Sequence, residues 1–511
     1  MERKACGVSS SLYLCNLGHY WLVAFIIRLG QYFWMNSKRL SWEMIQPLSD
    51  DALLKPVAQQ EKGGVMLRSC FLSRILFAAA VCVFLDANTI RAQSWSLAWS
   101  NRYASPFTTG YDAAKAVAIS LNGNVIVAGS SYNGSNSDCT TVTYSSDGVA
   151  VWTNRYHGPG GGSDGINALA VHTNGDVIVT GYASSTNPTS YPSDYLTIKY
   201  SSAGMPLWTN LYASVGSSED IARAVVLDSD GNVLVTGTDV TIKYAGFGQP
   251  VWTNRFPNGK AVRIAADPNG DVFVTGYSMN DSWNYDYATI KYSNTGIPVW
   301  TNRYNSIGNA ADYPSAITVN RNGDVIVTGY SQSASGSNYD YATIKYSTDG
   351  VPLWTNRYEG IGADADYAAA LAVDVGGNVF VTGRSIGTDH TFDYATVAYA
   401  GTGTPLWTNR YWAVAGGGDE ATGIALDDSG NVFVTGRSSL AGTASSYDFV
   451  TIAYSNGGVP LQTNRFNGEA SNQDDANAIA VDQNGGVYVT GASLGIGSNF
   501  DFLTLKYARP S

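Results

Sequence analysis

The sequence predicts an all-β fold, an eight-bladed β-propeller of four-stranded antiparallel blades, and three observations carry that expectation. One phrase recurs eight times between Ser94 and the C-terminus of this 511-residue chain, with a period of roughly 52 residues. Each phrase has four parts rich in Thr, Val, Ile, Tyr and Trp, with apolar residues at every second position and Gly or Asn-Gly at the junctions. The repeats open on a lone fourth part and stop after a third. Period-two alternation marks strands, and a four-stranded unit repeated at this spacing marks propeller blades.

The parts follow in a fixed order. In one unit a small-apolar run from Ala316 to Val319 ends at Asn322-Gly323, the residue types a two-residue hairpin needs where φ is positive. Asp324 to Gly329 forms the second part, Asp340 to Tyr346 the third and Gly350 to Tyr358 the fourth. The segment Ser96 to Tyr103 is a fourth strand without a blade, and the last blade ends near Tyr507 without its own fourth strand. Joining the two closes the ring and removes two sheet edges that would otherwise invite aggregation. Within a blade, the spacing places Ile290 opposite Trp300, Ala288 opposite Asn302 and Tyr287 opposite Arg303. On that register Ile, Trp and Tyr face the next blade, and cross-strand neighbours of this kind contribute about 0.2–1 kcal/mol each.

The phrases NGDVIVTGYS, DYATIKYS and GVPLWTNRY resemble the bacterial beta-propeller repeat, the seven-bladed or SBBP type, over residues 96–507. That resemblance implies an extracytoplasmic protein without enzymatic activity, although eight units are counted here. A weaker similarity to eight-bladed quinoprotein dehydrogenases rests on a Gly four residues before Trp, as at Gly350 and Trp354. The Ala and Asp that precede that Gly in the quinoprotein motif are absent, so it reads as shared blade packing.

Upstream of the repeats, Met66, Arg68 and Arg74 precede an apolar run from Ile75 to Leu85, with Ala92 before Gln93. This is the layout of an export signal, too short to span a membrane. Residues 1–65 are expected to be an upstream extension, 66–92 a signal peptide and 93–511 the propeller, secreted, periplasmic or on the cell surface. Only Cys139 lies beyond the cleavage point, which leaves no intrachain disulfide. With no anchor after Tyr507, the propeller is expected to be the whole mature product and a monomer.

The net charge is −11; residues 1–92 hold 10 Lys and Arg against 6 Asp and Glu, which leaves −15 on the remainder. Such a surface excludes nucleic acid and anionic membranes as partners, since both require basic patches. Asp opens every third strand and seven of eight first strands, so one mouth of the ring is expected to be rimmed with carboxylates. The functional reading is a divalent-cation site, Ca²⁺ in particular, with Asp312, Asp366 and Asp419 as ligands. The structural reading pairs each Asp with the Arg that ends the fourth strand or with loop amides, and the regularity of the pattern favours it. Asp228-Ser-Asp-Gly-Asn232 reads as a plain turn.

His157, His172 and His390 fall in different units without a nucleophile or carboxylate at a catalytic spacing. The phosphate loops that need a helix are also excluded. A binding site is therefore sought where the repeat breaks. Unit 3 has lost its second-to-third loop at Gly237-Thr238-Asp239, and unit 4 opens on Asn258-Gly259-Lys260 where other units carry Asp. Beside that notch stand Trp283 and Tyr285, and Trp412 is a second tryptophan outside the repeated strand position. With Lys260 these are the candidate ligand-binding residues, because a flat ring with a polar tip suits sugars and peptides. The expected function is a non-catalytic scaffold for a glycan, a peptide or a protein surface. The alternative is an eight-bladed enzyme, a quinone-dependent dehydrogenase or a metal-dependent hydrolase or lyase, with its site at the acidic mouth.

Overall fold

The computed structural model describes residues 94–509, except 108, 186–192, 215–218, 307–309, 334–337, 363, 415, 441–445, 471 and 498. The expected extension and signal peptide lie outside the described residues. All described elements are strands, and they form eight four-stranded antiparallel sheets. Seven sheets are consecutive blades: 113–156, 165–212, 222–255, 259–304, 312–358, 366–411 and 419–466. The eighth combines 474–508 with Ser96–Tyr103, which pairs antiparallel with Phe500–Ala508 and closes the ring as the sequence implies. First strands touch the first strands of both neighbouring blades and so line a central channel.

Every interface between successive blades holds its own buried cluster. Between blades 4 and 5, Phe273 and Tyr287 meet Val325, Val327, Ala342, Ile344 and Tyr346, with Trp300 and Tyr304 packed at the edge. The register corrects the sequence expectation by one residue. Lys291 faces Trp300, Ile290 faces Thr301, Thr289 faces Asn302 and Ala288 faces Arg303, because a bulge between Lys291 and Tyr292 inserts a residue next to the turn. A one-residue slip exchanges faces. Tyr287 and Trp300 therefore look toward the following blade, whereas Ala288, Ile290 and Tyr292 join the cluster shared with the preceding one.

The recurrent Trp and Asn bind successive blades together. Trp300 Nε1 donates to Thr348 O at 3.0 Å and Asn302 Nδ2 to Gly350 O at 2.7 Å, both in the third-to-fourth turn of the next blade. Gly350 sits at φ +82, and a Cβ there would lie 2.8 Å from the Trp300 indole. The recurrent turn Gly therefore admits the tryptophan of the preceding blade, not the one four residues later in its own.

At the closure the phrase changes because the geometry does. The eighth blade has no third-to-fourth turn, since its fourth strand comes from the other end of the repeats. Trp95 fills that space, 1% exposed, edge-on to Phe433 at 5.0 Å and with Nε1 donating to Gly485 O at 3.0 Å. Gln462, in the position of the missing tryptophan, accepts from Trp95 N at 2.5 Å and donates to Trp95 O at 2.6 Å.

Candidate functional site

Antiparallel order puts all second-to-third loops and all blade-to-blade connections at one end of the ring, and the short turns at the other. The long-loop end carries the residues that break the repeat. Blade 3 contributes only Val233–Gly237 and Val240–Tyr244 as its middle strands, which leaves it short at this end. In blade 4 the loop Asn280 to Asn284 is a tight turn, with Trp283 N donating to Asn280 O at 3.1 Å and Asn280 N to Asn284 O at 2.8 Å. Trp283 occupies φ +65 and is 82% exposed. A bulky residue in the left-handed region costs about 1–2 kcal/mol, and here no packing offsets it. Trp412 is also exposed but lies in the connection from blade 6 to blade 7, two blades further round.

Tyr285 and Lys260 are both half-buried, and Lys260 pairs across strands with Tyr277. Tyr285 belongs to an arc of rings the sequence reading missed. Tyr277 meets Tyr285 at 5.0 Å and Tyr313 at 5.3 Å; Tyr313 meets Tyr330 at 5.4 Å, and Tyr330 meets Tyr339 at 5.4 Å and Tyr367 at 5.0 Å. The rings are half-buried, and burial, reinforced by neighbouring phenols, raises the pKa of Tyr313 and Tyr330. In blades 6 and 7 the position of Tyr277 and Tyr330 is taken by Arg384 and Arg437. Arg384 stacks on Tyr367 at 4.8 Å and on Phe392 at 4.6 Å, then pairs with Glu420 at 2.8 Å, which pairs with Arg437 at 3.0 Å. The aromatic half of the arc thus passes into an ion-paired half. Its signal in the sequence was Tyr at the strand ends, but the adjacency between blades requires the ring.

The expected carboxylate rim lies inside the protein. Asp312, Asp366 and Asp419 are each 0% exposed and accept loop amides: Ser306 N at 2.8 Å, Gly360 N at 2.6 Å and Ala413 N at 3.0 Å. Burial pushes Asp366 and Asp419 up to about 6, against the opposing pull of hydrogen bonds from Ser385 and Ser438 and the loop amides. Third-strand aspartates pair instead with the arginines that end the fourth strand, Asp340 with Arg357 and Asp393 with Arg410 both at 2.7 Å. None of these carboxylates rims an open mouth: the first-strand aspartates hold the blade-to-blade connections through one carboxylate oxygen, and the third-strand aspartates pair with an arginine of their own blade.

Among the described residues, one cluster has metal-ligand spacing: Asp138, His157 and Asp164, whose candidate ligand atoms lie within 4.8 Å of one another. His157 Nδ1 is 2.9 Å from Asp138 Oδ1 and 3.9 Å from Asp164 Oδ2, so the histidine does have carboxylate neighbours that its sequence spacing hid. The carboxylates are already engaged, Asp138 by Arg155 at 3.2 Å and Asp164 by Gly158 N and Ser184 N. One imidazole nitrogen and two carboxylate oxygens could hold a divalent ion only by giving up part of that network.

Residues 407–439 and 468–500 match the family described as Beta-propeller repeat, SBBP. No curated protein is significantly similar to the chain. Among solved structures, the Dos1 propeller shares 9% identity at a TM-score of 0.50 over 81% of this chain and 95% of that one. A protein of unknown function from Bacteroides caccae shares 12% identity at 0.33, over 56% and 93% of the respective chains. A gluconolactonase from Xanthomonas campestris shares 13% identity at 0.31, over 55% and 83%. At such identities the likeness concerns the fold alone.

Proposed function

The chain carries SBBP beta-propeller repeats, and from that premise we propose that it is an exported, non-catalytic scaffold that binds a glycan through the long-loop rim at blades 4 and 5. The observation that carries this reading is Trp283, 82% exposed at φ +65, two residues before Tyr285 of the half-buried tyrosine arc. A fold that keeps a large ring in water, in a conformation it disfavours, gains nothing in stability from it. Flat rings flanked by hydroxyls suit the apolar faces and polar edges of pyranoses.

The repeats themselves argue for a scaffold, because the Trp, Asn, Arg and Asp of each unit are engaged in holding blades together. The enzymatic alternative draws on one observation, the Asp138, His157 and Asp164 cluster, where Zn²⁺ titration followed by melting temperature would expose a true ion site by a concentration-dependent rise. For the glycan reading, an array is probed with wild type and Trp283→Ala. Selective loss of bound glycans in the variant supports it, and equal binding by both proteins removes it. Sequencing the N-terminus of the protein recovered outside the cytoplasm tests export, with cleavage after Ala92 as the expected result.

A further inference from the structure

Of the twenty Lys and Arg residues beyond residue 92, most are neutralised. Arginines at the ends of fourth strands meet third-strand aspartates, and third-strand lysines meet turn aspartates, as Lys291 meets Asp271 at 2.9 Å. Arg223 and Arg263 form no ion pair among the described residues. They stand on neighbouring first strands, Ala222–Leu227 of blade 3 and Gly259–Ala266 of blade 4, which touch each other at the channel.

Arg263 breaks the repeat, and Arg223 stands at a position that varies from blade to blade. The strand registers place Arg263 where the other seven blades carry Ala116, Ala168, Ala224, Ala316, Ala370, Gly423 and Ala478. Arg223 is the bulged residue of its strand. Of its seven counterparts, Asn167, Ser315, Thr422 and Asn477 each donate to a carbonyl of the next blade, while blades 1, 4 and 6 carry Lys115, Val262 and Ala369 there. Arg223 makes no such bond, and its Nε is buried without a partner. Arg263 is exposed on its channel strand, and partial desolvation with the nearby Arg223 pushes its pKa below the ordinary arginine value. Among the described residues its guanidinium donates only to the adjacent carbonyl of Val262, at 3.0 Å. Arg223 lies close enough to Tyr277 to lower the pKa of that phenol, against the larger upward effect of burial. Lys260 faces Tyr277 across the strands, and Tyr285 is 5.0 Å from it. The cations therefore adjoin the aromatic rim.

We propose that Arg223 and Arg263, with Lys260 at the edge, form an anion site at the blade 3–4 side of the channel mouth, and that it takes the carboxylate of a uronate-bearing glycan stacked on the neighbouring rings. Two guanidinium groups on adjacent strands, near enough to repel each other, leave donors unmet; an oxyanion answers both, since arginine forks match carboxylate and sulfate oxygens. The remaining charge of the propeller disfavours anions elsewhere on its surface. The sugar part of this inference rests on the rim-binding reading, and the charge part does not.

Calorimetry at low ionic strength compares trigalacturonate, its fully methyl-esterified form and inorganic sulfate on wild type, Arg263→Ala and Arg223→Asn. Both variants install side chains that other blades already hold at these positions. The expected result is that trigalacturonate binds wild type at least about tenfold more tightly than the ester, that added salt weakens it, and that either variant abolishes the difference. Sulfate binding that depends on the same arginines supports the anion site and marks a free oxyanion as its ligand, while an equally tight acid and ester overturns the anion site and leaves the rim reading standing. Absence of binding by all three overturns the proposal. Without ligand, Arg263→Ala is expected to melt higher than wild type, because it removes the repulsion; a lower midpoint would make Arg263 a structural residue and also overturn the proposal.

Discussion

The closing blade and the blade 3–4 junction both depart from the repeat, but only one of them repairs the departure. At the closure the recurrent tryptophan becomes Gln462, and both its amide atoms are bonded to the backbone of Trp95, whose ring is buried against Phe433. At the junction, the small residue of the first strand becomes Arg263, the bulge residue becomes Arg223 with a buried unmet donor, and Trp283 stands in water. Buried unpartnered atoms occur at the closure too, on Tyr507 and Arg509, so what sets the junction apart is two arginines without an ion pair among the described residues and an exposed tryptophan, which the fold itself does not use.

Four measurements would break or sharpen that contrast. The largest effect is expected at Trp95→Ala, which empties a buried site in the only blade built from both ends of the repeat region. A loss of about 3–5 kcal/mol in denaturant unfolding is expected, and a change under about 1 kcal/mol would mean that the closure does not depend on it. Gln462→Trp restores the repeat yet is expected to destabilise by about 1–3 kcal/mol, since Trp95 occupies the space the indole would need. A gain in stability would show that the glutamine does not answer the missing turn.

A smaller effect concerns the buried aspartates. Asp366 and Asp419 have their pKa raised to about 6 from 3.8. Between those values the folded chain holds protons that the unfolded chain releases, so these groups add stability as pH falls through about 6 and lose it as pH rises. Asp366→Asn is expected to raise the melting midpoint at about pH 7.5 and to flatten its rise toward about pH 5; an unchanged profile would remove the assignment. The smallest change is expected at Trp283→Gly. Relief of the positive φ makes it neutral or stabilising by up to about 1–2 kcal/mol, with loss of glycan binding. Destabilisation would place Trp283 among the structural residues.

Much of the fold was legible because its cause is local. Alternation, turn glycines and the recurrence of Trp-Thr-Asn act within a few residues, and they specified strands, blade number and the swap that closes the ring. The register escaped by one residue, since the bulge beside Tyr292 leaves no mark in an alternating pattern. Of the candidate residues, Trp283, Tyr285 and Lys260 fall on one stretch of the long-loop end, whereas Trp412 belongs to another. Asp312, Asp366 and Asp419 were legible as a pattern, but their burial was not, because loop amides from the preceding blade enclose them. The arginine pair was visible in principle as a large cation in a column of alanines, once the first strands are aligned through their bulges.

The sequence by itself determined the repeating unit, its eightfold count and the positions where the unit is broken, because each follows from short-range periodicity and comparison of the chain with itself. Only the tertiary structure decided which breaks are compensated and which are left open. That distinction depends on groups far apart in the chain: Gln462 and Trp95 across the closure, Arg223 and Arg263 on adjacent channel strands, and Tyr277 and Tyr313 across neighbouring blades. Ring closure brings them within reach, and packing and hydrogen bonding then satisfy the glutamine and the rings and leave the two arginines without an ion pair among the described residues.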